Sequence, residues 1–301
     1  MINNNKIAAV DIGGTNTRFA LFDEKGKIKL KKKTATSFDN SAQTCDWILN
    51  LVKEHKIEYL ALCIPGPSNY ETGLIINPPN LRGTWLNFQM KDYLMSNSNL
   101  KFIAFENDAN AMALSNHFEY GMNKKQVSQF YTVSTGFGSG LIINNSIYHG
   151  KNFLAQEIAQ IPVSQNNFSS AHHMKNNFAI ELHCSGRGLE IKAKALKLAN
   201  NAQEVFELAK KGNSIAQDLV NQASDALARM FAINAGMLAP HNFFIGGSVG
   251  LNNKEFILEA FNKAKKMSDP VHFDNVNLYY DKNGDDSALY GLYYLIKHYL
   301  G

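Results

Sequence analysis

Asp11-Ile12-Gly13-Gly14-Thr15-Asn16-Thr17-Arg18 stands between two apolar runs, Ile7 to Val10 and Arg18 to Phe22. Short apolar runs split by a glycine-rich tetrad read as two strands joined by a tight turn. After Glu24-Lys25-Gly26-Lys27 the stretch Lys27 to Lys33 alternates and reads as a third strand. The first turn also carries chemistry. Adjacent glycines let backbone N–H groups approach an anion with no Cβ in the way. Thr15 and Asn16 add side-chain donors, and Asp11 offers a carboxylate to a Mg²⁺ ion or its bound water. The same residues also suit a plain hairpin closed by Gly-Gly.

The device recurs further along the chain. Phe130 to Ser134 reads as a strand, Thr135-Gly136-Phe137-Gly138-Ser139-Gly140 as a turn, and Leu141 to Ile143 as a strand. Ser146 to Tyr148 continues it after Asn144-Asn145. Alone, the second turn is either a phosphate cradle or a flexible hairpin. Two such turns, each opening a domain-sized half, point to a phosphate clamp across a cleft. No G-x-x-x-x-G-K-[ST] stretch occurs, which argues against a P-loop nucleotide site.

Between the turns, Thr44 to Lys56 has helical spacing, and Tyr59 to Ile64 is a strand that stops at Pro65-Gly66-Pro67. Phe102 to Phe105 is a strand that runs into Glu106-Asn107-Asp108-Ala109-Asn110 and an Ala-rich helix. A long helical region extends from about Gly186 to Leu238, ending at Pro240. Its apolar stripe includes Ile215, Leu219, Ala223, Leu227 and Met230. Phe243 to Ile245 is a short strand, and Ser287 to Leu300 is a final helix with Asp285 and Asp286 at its positive end. Strands and helices mix in both halves, so two α/β domains are expected. The first would hold residues 1 to 108 with about 287–301 returning to it. The second would hold 109–286.

Composition bounds the function. The 301 residues are 45% hydrophobic, enough for a real core and long enough for two domains. A net charge of +4 is too small for a dedicated nucleic-acid binder. Six lysines between Lys25 and Lys33 fit a strand edge guarded by charge better than a nucleic-acid patch. Cys45, Cys63 and Cys184 are too few and scattered for a disulfide framework. The start lacks a long apolar segment, and no apolar run reaches membrane-span length. The expectation is a cytoplasmic protein that binds neither membrane nor nucleic acid.

Three more clusters can carry chemistry. Asp108 stands just past a strand, where open α/β sheets bind ligands, and could accept a hydroxyl proton during phosphoryl transfer. It could equally be a helix N-cap. Glu157 and Glu181 flank a polar stretch; carboxylates accept well from sugar hydroxyls, yet isolated glutamates are ordinarily solvated. Gly246-Gly247-Ser248-Val249 is a strand-to-helix turn suited to a nucleotide, or simply a left-handed turn.

In this order the clusters resemble bacterial glucokinases and the ROK family of sugar kinases, within the actin-like ATPase superfamily. The likeness covers roughly residues 6 to 300. Asp11 to Arg18 matches the D-x-G-G-T-N-x-R phosphate motif of the family. The stretch Asn77-Pro78-Pro79-Asn80-Leu81-Arg82-Gly83-Thr84-Trp85 resembles its P-N-L-x-G-W sugar-side loop. Glu106 to Asn110 is its E-N-D-A-N. Ser134 to Gly140 resembles the second phosphate motif and Phe244 to Ser248 the adenosine motif; Gly284 to Gly291 also fits. The resemblance implies two ribonuclease-H-like α/β domains around a deep cleft. It implies ATP-dependent phosphorylation of a hexose at its 6-hydroxyl, with glucose as the hexose and Asp108 as the base. ATP, bound with Mg²⁺, would meet Asp11, Gly13, Gly14, Thr15, Asn16, Arg18, Thr135, Gly136, Gly138, Gly246 and Gly247. The sugar would meet Asn80, Asn107, Asp108, Glu157, Gln160 and Glu181. A homodimer is also implied.

Two departures stand out. The G-E-x-G-H motif of the family appears as Gln156-Glu157-Ile158-Ala159-Gln160. Gln160 can hydrogen-bond a hydroxyl but cannot take a proton or readily ligate zinc. The C-x-C-G-x-x-G-C cluster of many members is missing, since Ser169 to Ala179 contains no cysteine, so no structural zinc is expected. His172-His173 reads as a solvated pair rather than a metal remnant. Gln160 keeps a kinase for another sugar open, such as N-acetylmannosamine, N-acetylglucosamine or fructose. A sugar sensor without catalysis is the other alternative. A repressor of this family would need a helix-turn-helix domain ahead of the first motif, where only ten residues precede Asp11.

Overall fold

The structure, a computed structural model, describes residues 3–64, 66–78 and 80–301. Pro65 of the expected turn and Pro79 of the sugar-side loop lie outside the described residues. The chain forms two compact units. One comprises Met1–Gly121, Ser146–Ala155 and Asp285–Gly301; the other comprises Met122–Asn145 and Gln156–Gly284.

In the first unit, β1 (Ile7–Ile12) is buried along its whole length, as the apolar run Ile7 to Val10 requires, and Asp11 is buried with it. It pairs antiparallel with β2 (Asn16–Phe22), which pairs with β3 (Ile28–Ala35). On the other side of β1, β4 (Tyr59–Cys63) runs parallel. Three two-residue strands, β5 (Ser68–Asn69), β6 (Leu74–Ile75) and β7 (Phe88–Gln89), make a small separate sheet. β8 (Phe102–Glu106) completes the main sheet in the order β3-β2-β1-β4-β8. β3 is thus an edge strand, and Lys29, Lys31, Lys32 and Lys33 are exposed on it, as charge guarding an edge should be. Helices α1 (Ser41–Glu54), α2 (Met90–Ser96) and α3 (Asp108–Glu119) follow their strands.

In the second unit, β9 (Ser128–Val133) and β10 (Phe137–Ile143) form an antiparallel hairpin. The next strand, β11 (Ser146–Ile147), begins the excursion that belongs to the first unit. Then come α4 (Ile180–Cys184), α5 (Gly186–Ala195), α6 (Ala202–Lys210) and α7 (Ser214–Leu238). β12 (Asn242–Gly246) leads into α8 (Ser248–Asn252) and α9 (Lys254–Met267), and β13 (Asn277–Tyr280) follows. β9 and β12 are parallel, as are β12 and β13. The run β10-β9-β12-β13 therefore repeats the logic of β2-β1-β4-β8: one antiparallel hairpin, then two parallel additions. That is the internal repeat expected from the two glycine turns. A core of Tyr131, Phe231, Phe243 and Phe261 packs behind the second sheet, Phe231 and Phe243 edge to face at 5.0 Å.

The stretch expected as one helical region from Gly186 to Leu238 is three helices. Asn201 and Asn213 cap α6 and α7, each accepting the N–H of the third residue of its helix, and Gly212 has φ +88°. Ile215, expected in the buried stripe, is 49% exposed in the first turn of α7, whereas Leu219, Ala223, Leu227 and Met230 are buried. The chain ends with α10 (Ser287–Leu300), which packs along α3. The approach is so close that a Cβ on Gly291 would lie 1.8 Å from Ala111 O. This contact keeps α3 with the first unit, so the division falls after Gly121 where residue 108 was expected.

Candidate functional site

The first glycine turn is braced from below. Gly13 N–H donates to Asn16 O at 3.0 Å, and Thr36 Oγ1 donates to Gly13 O at 2.7 Å. Thr17 and Thr36 hydroxyls meet at 2.9 Å. Gly14 lies against Asn80, where a Cβ would be 2.8 Å from the Asn80 Cβ. The turn and the sugar-side loop are therefore neighbours, and only glycine fits at 14. That loop is anchored by Trp85, which is fully buried and donates its indole N–H to Ser37 O at 2.7 Å. Gly83, at φ +62°, lets Thr84 N–H reach Asp39 O at 2.9 Å.

Asp11 and Arg18 face each other across the β1–β2 ladder and form an ion pair. The Arg18 Nε and Nη2 both donate to Asp11 Oδ2, and Nη1 donates to Asp285 O at 2.7 Å. Burial works against the guanidinium charge, but Asp11, Asp285 and Asp286 outweigh it and raise the Arg18 pKa. The pair uses Oδ2 of Asp11 alone among the described residues, leaving Oδ1 as a hard oxygen that could meet a magnesium-bound water.

Asn107, not Asp108, caps α3. Its Oδ1 accepts from Ala109 N–H at 2.9 Å and Asn110 N–H at 3.3 Å. Among the described residues its Nδ2 amide donates to none. Asp108 sits at the first helical position and is exposed, with Oδ1 accepting the Ala109 N–H at 2.8 Å. Crowding by surrounding protein and the Asp11 carboxylate push the Asp108 pKa up. The Ala109 N–H, its own N–H and the Arg18 charge pull it back. Because the carboxylate surface stays open to water, solvent limits the rise. What remains is an accessible carboxylate made more basic than usual.

In the second unit the hairpin turn is tighter than expected: Ser134 N–H closes on Gly136 O at 3.0 Å, and Gly138 is already inside β10. The carbonyls of Ser134 and Thr135 accept the first N–H groups of α5, from Gly186 at 2.7 Å and Arg187 at 3.0 Å. Glu181 in α4 reaches back to this turn. Its Oε2 accepts the Phe137 N–H at 3.0 Å and lies where a Gly136 Cβ would be only 2.9 Å away. Glu181 N–H in turn donates to Ala159 O at 3.2 Å, which ties α4 to the Glu157–Gln160 stretch. Glu157 is exposed. The Gln160 side chain is occupied: its Oε1 accepts Lys175 N–H at 3.0 Å, so here it organises the 172–177 loop. Gln156 stands at φ +68°, a left-handed conformation held by Gln129 Nε2 donating to its Oε1 at 2.8 Å.

Gly247 has φ +80°, and a Cβ there would strike Val133 O at 2.5 Å. Glycine thus lets β12 turn into α8 against β9. A cavity of about 510 Å³ joins this turn to the hairpin turn, lined by Thr135, Gly186, Arg187, Ser248, Val249 and Asn252. A second of about 570 Å³ adjoins it through Phe206, Lys210, Asn252 and Asn253. A nucleoside fits volumes of this size. Arg187 and Asn252 were not picked out from the sequence, although Arg187 lies only six residues after Glu181. His172 bonds Asn177 Oδ1 at 3.0 Å and His173 lies 3.6 Å from Glu181. Among the described residues no group of three or more His, Cys, Asp or Glu side chains could hold a metal ion. No helix among them is long and apolar enough to cross a membrane.

Comparison with known proteins places nearly the whole chain in a family. The family profile described as "ROK family" matches residues 7–299. An N-acetyl-D-glucosamine kinase of Mannheimia succiniciproducens is 29% identical over 269 residues, 84% of this chain and 87% of that protein. An N-acetylmannosamine kinase of Yersinia pestis is 28% identical over 249 residues, 81% and 83% of the two chains. The solved structure of a ROK hexokinase from Thermus thermophilus superposes with a TM-score of 0.80 at 23% identity, covering 97% of this chain and 99% of that one. At that identity the likeness establishes a shared fold.

Proposed function

The chain belongs to the ROK family, and from that premise we propose that it is a kinase that transfers the γ-phosphoryl group of ATP to a hexose hydroxyl. The observation that carries this reading is the division of labour at the start of α3. Asn107 takes the capping role, which frees the exposed Asp108 carboxylate for an incoming hydroxyl. A carboxylate with a raised pKa is a better proton acceptor than an ordinary aspartate.

In this reading Asp108 orients the 6-hydroxyl and takes its proton as the phosphoryl group leaves ATP. Asn107 Nδ2 and Asn80 donate to neighbouring hydroxyls from the first unit; Glu157 and Glu181 accept from the second. The adenosine lies in the cavity of Thr135, Arg187 and Ser248. The backbone of the Gly13–Thr15 and Thr135–Gly136 turns faces phosphate oxygens. Mg²⁺ carried by ATP would supply charge neutralisation of the phosphates. Catalysis is then mainly positioning and electrostatic stabilisation.

Glucose is the first reading for the acceptor. A second is an N-acetylated hexosamine, because both curated relatives above are named as kinases of such sugars. ADP release measured with Mg-ATP across a panel of hexoses tests both. Release with glucose favours the first, and preference for N-acetylglucosamine or N-acetylmannosamine favours the second. No release with any sugar, from a protein that binds sugar, would replace the kinase with a sensor.

A further inference from the structure

Glu106 is the last residue of β8 and only 1% exposed. A carboxylate so deeply buried needs donors on both oxygens. Oε1 has two, the Asn107 N–H at 2.9 Å and Asn110 Nδ2 at 3.0 Å. Oε2 takes its donor from a distant part of the chain, His149 Nε2 at 2.7 Å. Since a carboxylate only accepts, the proton of this contact is on Nε2.

His149 is half-buried and anchored by its own segment. It lies in Ser146–Ala155, the excursion that the chain makes into the first unit. Its ring meets Phe153 at 4.9 Å, and Phe153 meets Tyr70 at 5.8 Å. Its carbonyl accepts the Ala155 N–H at 3.0 Å. Gly150, at φ +62°, permits that tight return, because a Cβ there would lie 2.9 Å from Ala155 Cβ. The imidazole is therefore a fixed donor aimed at a buried anion. The glutamate it serves bonds the residue before Asp108 and the residue two after it.

We propose that His149 is a positioning residue for Asp108. It secures the Glu106 carboxylate, and Glu106 fixes Asn107 and Asn110, which set the first turn of α3. The proposal rests on the reading of Asp108 as the base, but its mechanical part does not. Without the imidazole, Oε2 is a buried charged oxygen short of a donor. Glu106 then swings or admits water, and the turn that carries Asp108 loosens. His149 does this without touching the substrate.

Two readouts on the full chain test it. Amide hydrogen exchange at Asn107, Ala109 and Asn110 is compared in wild type, His149→Ala and His149→Gln. The alanine variant is expected to exchange about tenfold faster at these amides or more, as loss of a charged hydrogen bond implies. The glutamine variant, whose amide can donate to Oε2, should stay within about threefold. Turnover with the accepted sugar is expected to drop about tenfold in His149→Ala, with the ATP KM within about twofold and recovery in His149→Gln. Unchanged exchange in a folded His149→Ala, or faster exchange with normal turnover, overturns the proposal. If wild type phosphorylates no sugar, the kinase reading fails separately, and the exchange data still decide whether His149 braces the turn. Should His149→Ala not fold, Glu106→Gln keeps the volume and removes the charge, and must show the same pattern.

Discussion

Glu181 Oε2 accepts the Phe137 N–H at 3.0 Å, so a carboxylate already occupies one donor of the second glycine turn. The residue expected to meet sugar and the turn expected to meet phosphate are thus in direct contact. Any group that binds Glu181 also acts on the turn.

Gly136→Ala tests that contact. The new Cβ would lie 2.9 Å from Glu181 Oε2, the far end of a flexible side chain, so the fold survives while the carboxylate is displaced. A hydrogen bond to a charged group is worth about 1.5–3 kcal/mol. The ATP KM is expected to rise about tenfold or more, read by titrating ATP at saturating sugar. A KM within twofold of wild type would separate Glu181 from the turn.

Asp108→Asn is expected to lower turnover by about 10²–10⁴ while nucleotide binding is kept. The raised pKa of Asp108 places the acidic limb of the rate profile above the usual aspartate range. The stability effect has the opposite sign. The folded state holds this proton at pH values where the unfolded chain has released it, so ionised Asp108 destabilises the fold above that window. The asparagine variant should melt higher than wild type at neutral pH, and the gain should shrink as pH falls through the window. A variant that melts lower at neutral pH would contradict the raised pKa.

Gly291→Ala probes the α3–α10 contact. A methyl group pressed against Ala111 O must drive the helices apart. Overpacking of this kind costs about 1–3 kcal/mol or more. Thermal unfolding followed by circular dichroism should show a drop in Tm of several degrees, on the order of 2–4 °C per kcal/mol for a chain of this size class. An unchanged Tm would mean that the two helices do not need their close approach.

Lys192 gives a second pH signature. Burial lowers its pKa to about 8, and its Nζ donates to His183 Nδ1 at 3.0 Å. His183, lowered by burial to about 4, stays neutral and donates from Nε2 to Asn177 O at 2.8 Å. Between about 8 and the ordinary 10.5 the unfolded chain binds the Lys192 proton and the folded one does not. Stability attributable to this group therefore climbs as pH rises through that interval. Lys192→Met should flatten the climb in urea unfolding series run across it. An identical slope in the variant would assign the climb to other groups.

Much of this was legible in the sequence, for physical reasons that differ from element to element. β1, β2 and the glycine turn announce themselves through apolar runs and adjacent glycines, and the start of α10 is marked by Asp285 and Asp286 ahead of Ser287. The region from Gly186 to Leu238 kept a helical period throughout, so its two breaks were hidden in single asparagine caps. Ile215 matched the stripe, but the first turn of α7 projects beyond the surface that the stripe covers. The contacts that set the site were invisible for another reason. Glu106 with His149, and Glu181 with Phe137, join residues more than forty positions apart. No local spacing rule reaches that far.

The return of α10 to the first unit has a consequence for biosynthesis. The helix that shields α3 is translated only after the entire second unit has been made. At common elongation rates this interval lasts on the order of ten seconds or longer. Throughout it, a nascent chain carries a finished β-sheet beside an uncovered apolar flank. The amino-terminal half cannot reach its final state before α10 has left the ribosome, and holdase chaperones have that window in which to bind.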